Sequence, residues 1–384
     1  MRRAMYFHLR DGDPEIDSMI ASVCAMGGAG TRMVTDFSIS FAGYPETRPQ
    51  AERSVETAKR QPKTAFKRRT KRLVYSVQYN RFRRLFEANP GAVAVAWNGL
   101  TGTRRAFMAA ARDAGAGTVF MERAPLPGRI TVDTAGVNQV NGLPRDGAFY
   151  LDWAAGDPAR SGTAWMHLKD QMQARAPKRG DVEQARDGSG LEAAPFLFVP
   201  LQVPDDTQIR QFGSWVGSME TFIAILAEAA PHLPEGWQIR IKEHPSSKIP
   251  LGAALERAMA AAPGRIVIDN RTDTFLQVAH SRAVITANSS VGLQAFFWDK
   301  PVVVLADAFF RLPGLVIPAD SAADMARICA GAADLGFDGA LRNAFMNYLD
   351  QVYYPHVVPG PKGLPVVAPD LVLPKLRALS GTDG

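Results

Sequence analysis

Apolar positions along the chain come in two spacings, and their alternation carries the fold. Unbroken apolar runs bounded by turn residues read as buried strands; apolar residues three and four apart read as helices. Residues 92–97 (AVAVAW) are such a run, closed by the turn pair Asn98-Gly99. Residues 102–115 (GTRRAFMAAARDAG) have helical spacing and a terminal glycine, and residues 118–122 (TVFME) form the next strand. A strand at 4–9 and a helix at 16–26 precede them. A basic segment follows and reads as helical, with Leu73, Val77, Phe82 and Phe86 as its apolar positions. Strand, helix, strand predicts a doubly wound parallel sheet. Residues 123–146 are rich in Gly, Pro and Asn and read as a loop, and residues 154–193 are polar and read as an interdomain connection with a helix at 165–176.

The pattern then repeats. Strands are expected at 195–201, 237–241, 265–268, 283–286 and 301–305, and helices at 214–229, 251–262 and 272–280, the last capped by Asp273. A further helix opens at Val291 or Gly292, and two more fall at 322–335 and 341–353. The expected division is a first domain at 1–190, a second Rossmann-like domain at 191–345, and a tail at 346–384 of the kind that packs back on a first domain.

Length supports this division, since 384 residues exceed what one core usually serves. Hydrophobic content of 46% and charged content of 21% are those of a globular protein. No run reaches the ~18 apolar residues of a membrane span. The first residues lack the apolar core of a signal peptide, and Cys24 and Cys329 sit apart in apolar surroundings, which points to reduced thiols and a cytoplasmic protein. Charge changes the picture more. Between Arg53 and Arg84 stand twelve Lys or Arg against Glu56 alone, a local +11 in a chain of net +6, so the rest carries −5. Such a segment is either a solvated helix face or a contact for a polyanion. No nucleic-acid fold signature accompanies it, so the polyanion expected at residues 53–84 is an anionic membrane surface.

Candidate chemistry lies in loops that follow strands, the edge where open α/β sheets bind ligands. Asn98-Gly99, Glu122 with Asn138, the run Gln202 to Gln208 (QVPDDTQ), Glu243-His244-Pro245 after Lys242, and Asn288-Ser289-Ser290 all fall there. Ser289 and Ser290 precede an apolar run and read either as a helix cap or as hydroxyl donors beside amide groups that attract phosphate. Gly292 lets a ligand approach the backbone. His244, fixed by Pro245, is either a satisfied loop histidine or a donor to a phosphate or ribose. Asp206 is a turn former or helix cap, or else a nucleophile or base; Glu122 is a base candidate on the same argument. There is no P-loop, G-x-G-x-x-G, zinc spacing or G-x-S-x-G elbow, which argues against kinases, dinucleotide dehydrogenases, zinc hydrolases and ordinary esterases.

Taken in order, FVPLQVPDDTQI (198–209), IKEHP (241–245) and NSSVGLQAFFWDKPVVVL (288–305) resemble bacterial capsule polysaccharide biosynthesis proteins of the KpsS/KpsC type. AWNG (96–99) and ERAPLPGRITVDTAGVN (122–138) resemble that family's first-domain loops. The resemblance implies a GT-B-like α/β fold, with two Rossmann-like doubly wound parallel-sheet domains facing a cleft. It implies a retaining glycosyltransferase that moves Kdo, an acidic sugar, from CMP-Kdo to a lipid or glycan acceptor. The partners are then a nucleotide sugar and that acceptor, with no metal, no cofactor and no nucleic acid, at the inner face of the cell membrane. Asp206 would be the catalytic carboxylate and Glu122 the acceptor-side acid/base. His244, Ser289 and Ser290 would contact the nucleotide, with Gln202, Gln208, Lys242, Glu243, Pro245, Asn288, Gly292 and Gln294 around it, and Asn98, Gly99 and Asn138 in the first domain. Two positions depart from the family pattern. Gln294 stands where the family usually has Glu, and 306–310 (ADAFF) stands where it has G-x-A-x-Y. A CMP-sialic-acid-type transferase shares the same logic, and a non-catalytic scaffold of capsule assembly and export is the reading from another class.

Overall fold

A computed structural model describes residues 4–27, 30–34, 40, 43–174, 176–178 and 180–379. The chain divides into two compact units, one of Met1–Leu143 with Leu349–Gly384 and one of Pro144–Tyr348.

In the first unit the strands are β1 (Tyr6–Leu9), β2 (Thr31–Val34), β3 (Val93–Trp97), β4 (Gly117–Arg123) and β5 (Ile130–Asp133), in the order β2-β1-β3-β4-β5. All neighbours are parallel except β4 and β5. The alternation within β3 explains its central place. Val93, Val95 and Trp97 join Ile20, Val23, Val372 and Leu376 on one face, and Ala94 and Ala96 join Phe7, Phe82, Phe86 and Phe107 on the other. The antiparallel β5 corrects the reading of 123–146 as loop and of the sheet as wholly parallel. Its six-residue connection from β4, turning at Gly128 with φ 63°, is too short for a crossover and suits a hairpin.

The second unit holds β6 (Phe196–Pro200), β7 (Gln238–Lys242), β8 (Ile266–Ile268), β9 (Ala283–Thr286), β10 (Val302–Val304) and the short β11 (Ile317–Pro318), a sixth strand beyond those expected. The order is β11-β10-β9-β6-β7-β8, with every pair parallel. The helix expected at 214–229 is interrupted. A 3-10 turn, Ser214–Val216, ends at Gly217 with φ 64°, and Ser218 then caps Met219–Ala229 by accepting from the Thr221 amide at 3.1 Å. The ribbon of the first unit is β12 (Val357–Pro359) and β13 (Pro365–Val367), which are antiparallel.

Residues 154–193 belong to the second unit and are not a free connection. The aromatic ring of Tyr150, in the helix Gly147–Ala154, meets Phe345 and Tyr348 of the helix Gly339–Tyr348 edge-on. Asn347, wholly buried, accepts from the Trp165 amide at 3.0 Å and donates to the carbonyls of Arg160 and Gly162 at 2.6 and 2.7 Å. One amide side chain thus satisfies three backbone groups of a polar stretch that reads as linker. Farther on, Ala185 bridges to Thr272, and Gln184 accepts from the Thr274 amide at 2.8 Å.

Asn347→Ala leaves those three buried groups unpaired. The expected loss is about 2–4 kcal/mol in urea unfolding, and a loss within experimental error would show that this stretch is not held as described.

Candidate functional site

In the second unit the chain leaves β6 for β7 and β8 on one side, then returns to β9 on the other. In open parallel sheets ligands bind at such a reversal, outside the carboxyl ends of the flanking strands, which here are β6 and β9. Two side-chain amides link the loops after these strands. Gln202, just past β6, donates from Nε2 to Oδ1 of Asn288 at 3.0 Å, and its Oε1 accepts from the Asn288 amide at 3.3 Å. The Asn288 Nδ2 group faces the carbonyls of Gln208 (3.3 Å), Phe212 (3.2 Å) and Asp307 (3.2 Å). Both side chains are buried. Asn288 therefore ties together the loops that follow β6, β9 and β10.

Asp206 lies on the loop so held. Its Oδ1 accepts from the Gln208 amide at 2.9 Å and caps the short helix Thr207–Phe212. The turn after β9 is set by Thr286, whose Oγ1 accepts from the Ser289 amide at 2.9 Å. Ser289 accepts from the Val291 amide at 3.2 Å, and the helix Ser290–Gln294 starts one residue earlier than expected, with Ser290 exposed and Gln294 half-buried. At Gly292 a Cβ would meet Thr286 Cγ2 at 2.9 Å, Val302 Cγ1 at 3.2 Å and Phe310 Cζ at 3.4 Å, so this glycine lets helix and sheet pack closely.

The loop after β7 separates its residues into two kinds. Lys242 is buried and donates to the carbonyls of Glu183 (2.7 Å), Asn270 (3.1 Å) and Thr272 (2.7 Å), which matches the three protons of an ammonium. Burial pulls its pKa down to about 8, against the opposing pull of Asp269, Asp273 and Glu183. Glu243 exchanges bonds with Asn270, whose Oδ1 accepts from the Glu243 amide at 2.9 Å and whose Nδ2 donates to Glu243 Oε1 at 3.1 Å. The Pro245 carbonyl accepts from the Lys178 amide at 2.8 Å. These three side chains and groups build the loop. His244 is half-buried, and its Nδ1 accepts from the Ser246 amide at 3.1 Å, so the neutral ring carries its proton on Nε2 as a donor. Since β7, β6 and β9 are neighbours, His244, Asp206 and Ser289 all leave the same edge of one sheet.

In the first unit, Asn98 directly follows β3, and Glu122 stands one residue before the end of its neighbour β4. Asn98 adopts φ 61° and donates from Nδ2 to Glu122 Oε2 at 2.9 Å, while Glu122 Oε1 accepts from the Arg123 amide at 3.0 Å. Gly99, at φ 73°, is required, because a Cβ would lie 2.4 Å from the Phe120 ring. Burial pushes the Glu122 carboxyl up from its ordinary 4.5, opposed by the two hydrogen bonds and by the charges of Lys59 and Arg104. Asn138 opens a 3-10 turn at φ 54°. Its loop is organised by Asp133, which the sequence reading overlooked. Asp133 Oδ1 accepts from the amides of Ala135 (2.7 Å) and Gly136 (3.1 Å), and Oδ2 accepts from the Gly142 amide (2.9 Å) and the Tyr353 hydroxyl (2.7 Å). The only sequence signal was an aspartate ending an apolar run. Thr286 and Asn270 gave no more than a strand end and a polar loop. Among the described residues no cluster of His, Cys, Asp or Glu has metal-binding geometry.

Two outcomes follow from this geometry. Asn288→Ala strips partners from Gln202 and from three carbonyls and is expected to cost about 2–4 kcal/mol in urea unfolding. Asn288→Asp, which sets carboxylate oxygens against those carbonyls, costs no less; wild-type stability in both would remove Asn288 from its place at the centre. For Glu122 the sign runs with pH. A carboxyl raised on folding stabilises least once pH exceeds its folded pKa. Glu122→Gln keeps an acceptor for Asn98, so it is expected to gain thermal stability relative to wild type as pH rises from 4.5 toward neutrality. A gap that does not change with pH would contradict the shift.

Comparison with known proteins places the chain. Residues 163–354, half of its length, match the family described as capsule polysaccharide biosynthesis protein. Protein FixF of Sinorhizobium fredii is 32% identical over 240 residues, covering 61% of this chain and 54% of FixF. The capsule polysaccharide modification protein LipB of Neisseria meningitidis is 24% identical over 238 residues, covering 49% of this chain and 57% of LipB. The chain thus spans about half the length of the curated relatives it matches. Thermosulfurimonas dismutans KpsC, described as a beta Kdo 2,7 transferase, superposes with a TM-score of 0.52 at 12% identity over 97% of this chain and 99% of that one, which shows a shared GT-B-like fold. On the strength of the family match across its second unit, this chain belongs to the capsule polysaccharide biosynthesis protein family.

Proposed function

We propose that this protein is a retaining glycosyltransferase of capsular polysaccharide biosynthesis. It takes Kdo, or a related acidic sugar, from a CMP-activated donor and gives it to a lipid or glycan acceptor at the inner face of the cell membrane. The observation that carries this reading is the Gln202–Asn288 bridge, which joins the Asp206 loop to the Ser289 turn at the reversal point of a parallel sheet.

In this reading the nucleotide lies over the β6–β9 edge. The Ser289 and Ser290 hydroxyls and nearby amides face its phosphate, and the Nε2 proton of His244 reaches phosphate or ribose. Asp206 is oriented by the Gln208 amide. Its carboxylate attacks the anomeric carbon as the bond to the CMP phosphate breaks, and that electron pair leaves with CMP. The acceptor hydroxyl then displaces Asp206 from the same carbon and gives up its proton to a base. Two inversions at one carbon amount to retention. Glu122 is the acid/base on the acceptor side, and its raised pKa suits proton transfer nearer neutral pH. One feature favours the second reading, a non-catalytic scaffold. Buried Ala306 and Phe310 stand where the family pattern carries a glycine and a tyrosine.

Calorimetric titration with CMP tests the donor half of the reading: binding is expected, and its absence rejects a CMP-dependent enzyme. Asp206→Ala should lower the rate of CMP release by at least about 1,000-fold while leaving CMP affinity unchanged. A fully active variant removes Asp206 from the mechanism. A wild type that binds CMP but never turns over favours the scaffold.

A further inference from the structure

The basic segment forms the 23-residue helix Ala65–Glu87, and that helix has two apolar faces. Tyr75, Tyr79, Phe82 and Phe86 are buried in the first unit. At about 100° per residue, Phe66, Leu73 and Val77 fall within ~40° of one another on the side opposite those rings, with Val74 at its margin. Phe66 is 78% exposed, Leu73 63% and Val74 47%, and Val77 is half-buried. The exposed side chains are large and lie on one side of the helix, in a segment otherwise crowded with charge.

The cations beside them divide by partner. Arg68 pairs with Glu52 and Glu56, and Arg72 with Glu52, so these serve the contact with the helix Thr47–Glu56. Lys67 and Arg69 flank the outer apolar stripe on its two sides, and Lys63 stands just before the helix. All three are exposed, and among the described residues none is paired with a carboxylate. No helix among the described residues is long and apolar enough to cross a membrane.

We propose that this face is a docking surface for an anionic phospholipid bilayer. Phe66, Leu73 and Val74 enter the boundary between headgroups and acyl chains, while Lys63, Lys67 and Arg69 lie against lipid phosphates. Charge complementarity selects an anionic surface, and the apolar stripe selects a bilayer over a nucleic acid, whose backbone would attract the cations and leave Phe66 and Leu73 wet. The inference concerns the first unit alone. It deepens the membrane location given in the proposed function by naming the face that docks, and it stands whether or not CMP binds.

The test is flotation of the full-length protein with vesicles of phosphatidylcholine alone and vesicles rich in phosphatidylglycerol. Wild type is expected to float with the anionic vesicles at low salt and to leave them as salt rises. Phe66→Ser with Leu73→Ser should weaken partition at least about tenfold, through lost apolar contact. Lys63→Glu with Lys67→Glu and Arg69→Glu should do the same through lost charge. These side chains are exposed, so thermal unfolding should match wild type in both variants. Failure of wild type to float, or undiminished flotation of the serine variant, overturns the proposal. A wild-type dimer that the serine variant converts to monomer, with no flotation of either, overturns it in favour of a second copy as the occupant.

Discussion

Four hydrogen-bonding contacts of one amide side chain hold the candidate donor site in shape. Asn288 sits where the chain has reversed across its sheet, and it receives Gln202 on one side while facing the carbonyls of Gln208, Phe212 and Asp307 on the other. A buried amide with every partner in place is a rigid joint, and one with partners missing is costly. The site thus follows from a polar network that parallel-sheet topology places at one edge. Asp206, Ser289 and His244 are presented by backbone whose positions this network and its neighbours fix.

Much of the fold is legible in the sequence because its central strands are short unbroken apolar runs. β3, β6, β9 and β10 are buried at every position, and such runs need no context to be recognised. Two edge strands, β2 and β11, are not legible for the same reason. Three of the four residues of β2 are exposed, and β11 has two residues. Their strand character comes from a partner and not from their own pattern. The stretch 154–193 misleads in another way. Its polar composition suggests a linker, but Asn347 and Gln184 satisfy its neighbourhood through contacts distant in sequence.

The site shows the same split. Residue types after strand ends point to one edge of the sheet, and Gln202, His244 and Asn288 all lie there. Which of them face a ligand is not written locally. Lys242 reads as one of the residues around the nucleotide until its ammonium is seen among three carbonyls, and nothing in the sequence shows that Gly292 packs against Thr286 and Val302. Gln202 and Asn288 are 86 residues apart, and no spacing rule links them.

Hydrogen exchange with and without CMP tests the central claim most directly, because it reads the backbone of the bonded loops themselves. Added CMP should slow exchange at residues 202–212, 244–247 and 287–292 and leave the first unit's β3 and β4 unchanged. Protection confined to other segments, or none at these three while CMP binds, would contradict an account built on Asn288.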